Sequence, residues 1–317
     1  MFQTKIEIPT SELKISYENH ILTLGSCFAQ NIGNKMQEVY FETEVNPFGV
    51  LYNPVSISKS INLLLDKEIF TENDIFQYNG LWLSFSHSSL FSDTAPEKCI
   101  EKINFRFVKA AQFLQITNFL LITFGTAWVY EDQKSGSVIS NCHKLPARNF
   151  SRRRLSQQEI VDDYSKLITR LNEQNPELQL IFSVSPIRHW KDGAHENNLS
   201  KSTLMLAIDE LQHRFNQVHY FPAYEIQMDE LRDYRFYASD MLHPSEVAVD
   251  YIWQRFSDTY FDEATTRMKK EFEQLLSDLN HKPLFPDSTE FQQFQENVLI
   301  KKKKLNEKYI FLNNRLK

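Results

Sequence analysis

Apolar runs recur along the chain and are separated by segments of mixed polarity. Five of these runs predict strands, at residues 21–24, 38–45, 119–124, 178–184 and 218–221. The runs at 119–124 and 178–184 have almost no polar interruption, which is typical of parallel strands that are buried on both faces. The pattern therefore predicts a largely parallel sheet.

The segments between these runs carry apolar residues at helical spacing. One stripe has members three or four positions apart: Ile100, Ile103, Phe107, Ala111 and Leu114. This spacing places them on one face of a helix that packs on a sheet. Further helices are predicted at 157–173, at 199–216 and after Ser245. The alternation predicts an α/β fold: a three-layer α/β/α sandwich with a mostly parallel, doubly wound (flavodoxin-like) sheet.

Three irregular segments interrupt this alternation: residues 67–95, 128–150 and 187–198. They predict large insertions beside the active site. Near the C-terminal end of the chain the strands stop and only amphipathic helical patterns remain. We therefore predict a main domain at residues 1–261 and a helical extension at 262–317, which packs on the domain or forms a homo-oligomer contact.

The composition argues against a nucleic-acid-binding, membrane-spanning or disulfide-rich secreted protein. The 317-residue chain has a net charge of −6, which gives no electrostatic case for nucleic-acid binding. No apolar segment approaches the length that spans a bilayer, and the N-terminal residues lack the pattern of a signal peptide. Three widely spaced cysteines argue against a disulfide framework. We expect a cytoplasmic protein with neither a nucleic-acid nor a membrane partner.

Three predicted strand ends carry residues that suit a reaction centre. They are Gly25-Ser26-Cys27, Gly125-Thr126-Ala127 and Ser185-Pro186. Sites in open parallel sheets lie outside the carboxyl ends of the strands, so we expect these segments to share one edge. A helix that starts at the first of them would place its positive N-terminus and free N–H groups beside a nucleophile.

A second segment supplies the other parts of a catalytic triad. Asp240 lies three residues before His243. On a turn, a carboxylate at that spacing can hold one imidazole nitrogen and leave the other facing a nucleophile. Together with Ser26 or Cys27, these residues predict a nucleophile–His–Asp arrangement.

The segment Gly25–Ala29 spells the motif that names the GSCFA family, which this chain resembles. The resemblance continues through NPFG at 46–49, FGTAWVYE at 124–131, NCHKLP at 141–146, SVSPIRHWKDGAHENN at 183–198 and DMLHPS at 240–245, and it covers residues 20–260. Members of that family look similar to the SGNH, or GDSL-type, hydrolases. The resemblance implies an esterase or deacetylase that acts on a small or carbohydrate-linked acyl ester.

The same resemblance assigns roles to individual residues. Asp240 and His243 match the Asp-x-x-His block of the SGNH hydrolases. Alignment of Gly25 with the motif glycine of Gly-Asp-Ser, without a gap, puts Cys27 at the nucleophile position. A register shift of one residue makes Ser26 the nucleophile instead. A third interpretation makes Cys27 a small buried hydrophobe.

The sequence matches only part of the oxyanion hole of the SGNH hydrolases. Gly49 matches a block whose backbone N–H serves the oxyanion hole. Gly125-Thr126-Ala127 lacks the asparagine that the SGNH pattern has there, and the alanine side chain cannot donate a hydrogen bond. Thr126, Asn141 and His143 are the candidates that could fill this position.

The remaining candidates lie in the insertions. Four histidines there, namely His87, His143, His189 and His195, lack metal-ligand spacing, and no cysteine pair joins them, so we predict no metal and no other cofactor. His189 is a candidate for substrate contact. Arg188 suits a carboxylate or phosphate group, or is a solvated side chain at a strand end.

The function predicted from these residues is acyl-ester hydrolysis through a nucleophile, His243 and Asp240. Two alternatives stay open. Cys27 could pass the acyl group to an acceptor other than water, which would make the protein an acyltransferase. Ala127 lacks the side-chain amide that an asparagine would provide, which also allows a degenerate binding protein without catalytic activity.

Overall fold

The fold is built on a five-stranded parallel sheet. The structure, a computed structural model, describes residues 4–9, 11–312 and 315. Its strands in chain order are β1 (His20–Gly25), β2 (Glu42–Val45), β3 (Phe76–Tyr78), β4 (Leu81–Leu83), β5 (Phe119–Phe124), β6 (Trp128–Asp132), β7 (Val138–Ile139), β8 (Phe150–Arg154), β9 (Gln179–Val184) and β10 (Val218–Phe221). The main sheet has the spatial order β10-β9-β5-β1-β2, and all its pairs are parallel.

This strand order is that of a doubly wound, flavodoxin-like sheet. The chain starts at the inner strand β1, adds β2 at one edge, and then crosses to build β5, β9 and β10 on the other side. The direction of winding therefore reverses between β1 and β5. In such sheets the crevice at the reversal is the usual place for a ligand. The predicted α/β fold is confirmed.

Helices cover both faces of the sheet. In chain order they are α1 (Cys27–Glu38), α2 (Pro54–Asp66), α3 (Pro96–Ile116), α4 (Gln157–Gln174), α5 (Ala194–Arg214), α6 (Ala223–Glu225), α7 (Glu246–Tyr260), α8 (Glu263–Leu279) and α9 (Thr289–Lys308). Helices α2 to α5 pack on one face, whereas α1, α7, α8 and α9 lie on the other. The resulting three layers are those that the sequence predicts.

The strands divide their side chains between two hydrophobic cores. In β5, Leu120 and Ile122 face the core of helices α2 to α5, and Phe119 and Leu121 face the opposite core. Successive side chains of a strand point to opposite faces, so a strand between two helix layers needs apolar residues at every position. This requirement explains the uninterrupted apolar run at Phe119–Phe124.

Two insertions form strands of their own. Strands β3 and β4 make a hairpin, and β6, β7 and β8 make an antiparallel sheet after β5. The interpretation of residues 128–150 as irregular is therefore wrong. The strand β8 reads Phe-Ser-Arg-Arg-Arg, whose charge hides it from a pattern search. All three arginines form ion pairs: Arg153 Nε contacts Glu131 Oε1 of β6 at 2.7 Å, whereas Arg152 and Arg154 pair with Asp192 and Glu196 outside the sheet.

Two element boundaries also differ from the prediction. Helix α1 extends to Glu38, so the second strand covers only Glu42–Val45 rather than 38–45. Helix α5 starts at Ala194 instead of residue 199, which places His195 in its first turn. In both places a helix runs further than its apolar stripe, because the polar residues at these helix ends face solvent.

The two C-terminal helices pack on the main domain. Phe272 of α8 belongs to the same core as Phe41 and contacts Tyr17, whose ring stacks on Phe41 at 4.0 Å. Helix α9 buries Val298 and Leu305 in that core. Ion pairs join the two helices, Lys301 to Asp278 at 2.6 Å and Lys308 to Glu271 at 2.6 Å. Formation of a homo-oligomer through these helices stays a prediction. No helix within the described part of the chain combines the length and the apolarity that crossing a membrane requires.

Candidate active site

A cleft of about 580 Å³ lies at the carboxyl edge of the main sheet. The segments that follow three strands line it: Ser26 and Cys27 after β1, Thr126 after β5, and Ser185 after β9. His243 reaches the same cleft from the loop before α7. The structure thus brings together the strand ends and the histidine that the sequence singles out.

Gly25 allows β1 to pass directly into α1. Its φ is +137°, and a Cβ atom there would lie 2.2 Å from the Thr123 carbonyl oxygen of β5. Only glycine fits this backbone conformation and this close approach. The Asn46 Oδ1 atom accepts the Gly25 N–H at 2.9 Å, which also explains the asparagine of the NPFG segment.

The next two residues have different roles in the helix start. Ser26 is the N-cap residue of α1, and its Oγ accepts the Phe28 N–H at 3.2 Å. The Ser26 side chain is 1% exposed. Cys27 is the first helical residue, lines the cleft and is partly exposed. The hydroxyl of Ser26 therefore stabilises the helix start, whereas the thiol of Cys27 is accessible from the cleft.

Tyr52 provides the hydrogen-bond partner of this thiol. The sequence analysis did not identify this residue. The Tyr52 hydroxyl lies 3.7 Å from Cys27 Sγ. The Tyr52 carbonyl accepts the N–H groups of Gly125 and Thr126 at 2.7 and 3.0 Å, which fixes the residue to the end of β5. Burial raises the pKa of Tyr52, and the neighbouring thiol raises it further. The phenol is therefore a neutral donor at neutral pH.

Asp240 and His243 form the predicted pair. His243 Nδ1 lies 2.5 Å from Asp240 Oδ2. The other carboxylate oxygen accepts the backbone N–H groups of Leu242 and His243, both at 2.9 Å. These two N–H donors and the imidazole lower the pKa of Asp240 to about 2. The carboxylate is thus ionised and holds one imidazole nitrogen, which leaves Nε2 for the cleft.

The side chains of Cys27 and His243 do not contact each other. Among the described residues, no hydrogen bond joins Cys27 to His243, although both line the cleft. In unliganded enzymes the hydrogen bond between a nucleophile and its base is often long and shortens when substrate binds, so the absence of this contact does not exclude such a pair. The structure places an accessible thiol and an imidazole in the lining of one cavity, and the Asp240 carboxylate holds that imidazole.

The structure does not bring Gly49 or His143 to the cleft. The Gly49 N–H donates to the Asn46 carbonyl at 2.8 Å inside the turn, and the Ser88 side chain covers the glycine. His143 is 8% exposed, and its ring nitrogens contact the Ser84 carbonyl at 2.7 Å and Ser89 Oγ at 3.2 Å. Both residues stabilise the insertion, so neither is free to bind an oxyanion in this structure.

Thr126 and Asn141 do line the cleft. Thr126 Oγ1 accepts the Trp128 N–H and lies 3.1 Å from Ser200 Oγ, and the Ala127 N–H donates to that same hydroxyl at 2.8 Å. Asn141 Oδ1 accepts the His143 N–H at 2.8 Å. The backbone amides after β5 are therefore already bonded, and only side-chain donors remain available on this side.

Arg188 and His189 also line the cleft. Burial, together with the charge of nearby Lys201, lowers the pKa of His189 to about 4, so the imidazole is neutral at neutral pH. Its ring packs edge-on against Tyr52 at 5.8 Å. The Asn197 side chain accepts the His189 N–H at 2.9 Å, which ties this segment to α5.

Lys201 lies beneath the cleft and was also missed. The side chain is 2% exposed, and its Nζ donates to the carbonyls of Gly125 and Ser185, each at 2.7 Å. It therefore ties the ends of β5 and β9 together. Burial lowers its pKa to about 7, with a further contribution from Arg188. The signal was its position at helical spacing from buried Leu204 and Ile208.

Within the described ranges, no group of three or more histidine, cysteine, aspartate or glutamate side chains is arranged to hold a metal ion. The histidines of the insertions are dispersed: His87 is buried against Phe48, and His195 is exposed on α5. The side chains that line the cleft supply thiol, imidazole, hydroxyl and guanidinium groups.

Comparisons with known proteins match nearly the whole chain to one family. A sequence model described as the GSCFA family matches residues 20–256. A second model, described as the GSCFA domain protein C-terminal domain, matches residues 272–317. No curated protein matches the chain. The first match contains every segment that lines the cleft, and the second contains α9 and the C-terminal part of α8 from residue 272.

Proposed function

The chain belongs to the GSCFA family, and from the geometry of its cleft we propose that it is an acyl-ester hydrolase of the SGNH type with Cys27 as nucleophile. His243 is the general base and then the general acid, and Asp240 orients it. The observation that carries the proposal is the division of labour at the start of α1. Both residues line the cleft, but Ser26 is 1% exposed and its Oγ is engaged as the helix cap, whereas Cys27 is partly exposed.

The reaction proceeds in two balanced steps. His243 Nε2 takes the thiol proton, and the sulfur attacks the ester carbonyl carbon to give a tetrahedral intermediate. The C–O bond then breaks, the alcohol leaves with the proton from His243, and the acyl group stays on Cys27 as a thioester. A water molecule attacks this thioester with His243 as base. The acid and the free thiol are released.

Two donors near Cys27 suit the developing oxyanion. The first N–H groups of an α-helix have no intrahelical acceptor, and the N–H of Cys27 is one of them. The Tyr52 hydroxyl is the other, because it is neutral and lies 3.7 Å from the sulfur. These two groups replace the asparagine that is missing at Ala127 and the Gly49 N–H that the structure engages elsewhere.

The substrate is a small or carbohydrate-linked acyl ester. The cleft of about 580 Å³ accommodates a molecule of that size, and its walls carry Trp128, Tyr130 and Trp190. Aromatic faces of this kind bind both sugars and acyl chains. No metal or other cofactor takes part in the steps described.

Thiol labelling tests the proposal, and it needs the Cys142→Ser background because Cys142 lines the same cleft. In that background iodoacetamide should abolish the hydrolysis of p-nitrophenyl acetate in step with alkylation of Cys27, and a fluorophosphonate should leave it intact. Mass spectrometry should find an acetyl group on Cys27 during turnover. Labelling of Ser26 by the fluorophosphonate, with loss of activity, would instead identify the serine as nucleophile.

A non-catalytic binding protein gives a third result. In that case the slow turnover of p-nitrophenyl acetate is the same in the parent protein and in the Cys27→Ala and His243→Ala variants. We expect kcat/KM to fall by at least about 10³-fold in both variants. One variant lacks the nucleophile of the proposed triad and the other lacks its general base.

Acyl transfer is the second candidate, and one observation favours it. A further depression of about 490 Å³ adjoins the cleft and shares Arg188, Trp190 and Leu242 with it. It has room for an acceptor alcohol next to the Asp240–His243 loop. Adding an acceptor such as a methyl glycoside to the thioester enzyme separates the two activities, because transfer yields a new ester whereas hydrolysis yields only free acid.

A further inference from the structure

One end of the cleft carries an excess of positive charge. The charged residues there are Arg152, Arg188, Lys191 and Asp192. Arg152 pairs with Asp192 and lies over the Trp128 ring at 4.4 Å. The pair is neutral as a unit, so the charges of Arg188 and Lys191 are left uncompensated. We call these two residues the cationic end of the cleft.

Arg188 has no carboxylate partner among the described residues. One terminal nitrogen donates to Asn198 Oδ1 at 3.2 Å, and the buried Nε has no hydrogen-bond partner. The guanidinium lies 5.4 Å from the Trp190 ring centre. Its charge is felt by its surroundings, because it contributes to the lowered pKa of buried Lys201. An arginine held in this way keeps donors and charge available for a ligand.

Lys191 has a similar environment on the other side of Trp190. Its Nζ donates to the Tyr130 hydroxyl at 3.1 Å and lies 5.6 Å from the ring centre of the same residue. In the described part of the chain it makes no ion pair with a carboxylate. The aromatic contact positions the ammonium group without neutralising it.

The sign of this charge differs from that of the protein as a whole. The chain has a net charge of −6, whereas Arg188 and Lys191 make one end of its main cleft positive. A local field of this kind concentrates ligands of opposite sign. A neutral acyl ester gains nothing from two unpaired cations in its binding cleft.

We propose that the cationic end of the cleft binds a negatively charged group, a carboxylate or a phosphate, on the substrate. The inference rests on the proposed function and gives it a substrate class: the preferred acyl ester is anionic. The planar fork of Arg188 contacts two oxygens of the anion and provides the preference, whereas the exposed Lys191 only attracts the anion over a longer distance. The ester carbonyl then lies toward Cys27.

A pair of matched esters tests the preference. Mono-p-nitrophenyl succinate carries a carboxylate, and its methyl ester differs from it by one methyl group and the charge. The uncatalysed rate of each ester is subtracted, because the free carboxylate attacks its own ester carbonyl and releases p-nitrophenol with formation of succinic anhydride. For the parent protein we expect kcat/KM to be about 10- to 100-fold higher for the anion, mainly through a lower KM, which is the range of one charge-assisted hydrogen-bonded contact. Arg188→Gln should reduce this ratio to near one. Added salt should reduce it as well.

The control variant is Arg148→Gln, which removes an exposed arginine that does not line the cleft. It should keep the full preference. Equal kcat/KM values for both esters, or a preference that survives in Arg188→Gln, would overturn the inference while the hydrolase proposal stands. Replacing the carboxylate by a phosphonate in the same ester shows which anion is the better match, and a preference for either one supports the inference.

A binding measurement separates this inference from the hydrolase proposal. The amide analogue N-(4-nitrophenyl)succinamate resists cleavage and carries the same carboxylate. Calorimetry should show that it binds the parent protein more tightly than its methyl ester, and that Arg188→Gln removes the difference. If that result is obtained and no ester is cleaved, the anion site stands and the hydrolase proposal fails. Equal binding of the amide and its methyl ester would overturn the anion site.

Discussion

The Tyr52 hydroxyl lies 3.7 Å from the Cys27 sulfur, and this contact joins the segment after β2 to the start of α1. The tyrosine is held by its own carbonyl, which accepts two N–H groups at the end of β5. Its backbone is therefore fixed at the end of β5, and its phenol lies beside the thiol. A donor that is fixed before the reaction begins stabilises a developing charge without reorganisation.

Tyr52→Phe tests this role. Loss of the hydroxyl should lower kcat for p-nitrophenyl acetate by about 10²-fold, the usual effect of removing one oxyanion donor, with little change in KM. The ring contact with His189 is retained, so circular dichroism and melting temperature should stay close to those of the parent. An unchanged kcat would remove Tyr52 from the oxyanion site.

Asp240→Asn should reduce activity by up to about 10⁴-fold, since the amide neither fixes the same imidazole tautomer nor stabilises the imidazolium. The pKa of Asp240 is lowered to about 2, so the substitution removes a full negative charge at every assay pH. Asp233→Asn is the matched control. Arg235 lowers the pKa of Asp233 to about 2 as well, but this carboxylate binds Arg235 instead of the imidazole. The hypothesis is wrong if the two variants lose equal activity.

Gly25→Ala should cost several kcal/mol of stability and misplace the thiol, because its Cβ would lie 2.2 Å from the Thr123 carbonyl oxygen. Chemical denaturation measures the loss. Gly136→Ala is the control: Gly136 also has a positive φ, but nothing lies within 4 Å of its Cβ position. There we expect a cost of only about 1–2 kcal/mol from the left-handed backbone. Equal losses would mean that the close contact with β5 is unimportant.

Lys201 makes the stability depend on pH in a defined direction. Its pKa is lowered from 10.5 to about 7 in the folded protein, so between these values the unfolded chain binds more protons than the folded one. Stability therefore rises as pH increases from about 7 to 10.5, by at most roughly 1.4 kcal/mol per pH unit from this group.

Lys201→Met isolates that contribution. The difference in unfolding free energy between parent and variant should shift in favour of the parent as the pH is raised from 7 toward 10. Urea denaturation at several pH values provides the measurement. A difference that is constant with pH would show that the pKa of Lys201 is not lowered in the folded protein. The variant should also lose activity, because the Gly125 and Ser185 carbonyls lose their shared donor.

The sheet was predictable because its strands are buried on both faces. That burial favours apolar residues at most positions of β5 and β9, where Thr123, Gln179 and Ser183 are the exceptions, and such runs are visible in the sequence. The strands β6 to β8 were not predictable in this way. Their stability comes from cross-strand pairs such as Arg153 with Glu131, and the charges of such pairs suggest solvent rather than a sheet.

The candidate site was partly predictable for a topological reason. The carboxyl ends of parallel strands meet at one edge, so Cys27 and Thr126 had to lie close together once the fold was known. Tyr52 and Lys201 could not be found this way. Their positions depend on hydrogen bonds between segments far apart in the chain, and a tyrosine in a loop or a lysine in a helix is normally solvated.

The contacts between α8 and α9 have a consequence for limited digestion. The connection between these helices exposes Leu284 and Phe285, at 91% and 75%, which offers cleavable bonds to a protease that prefers large apolar residues. A chain cut there would separate into two pieces on a denaturing gel. In native chromatography both pieces would elute together, because buried Val298 and Leu305 keep α9 on the body without a covalent connection.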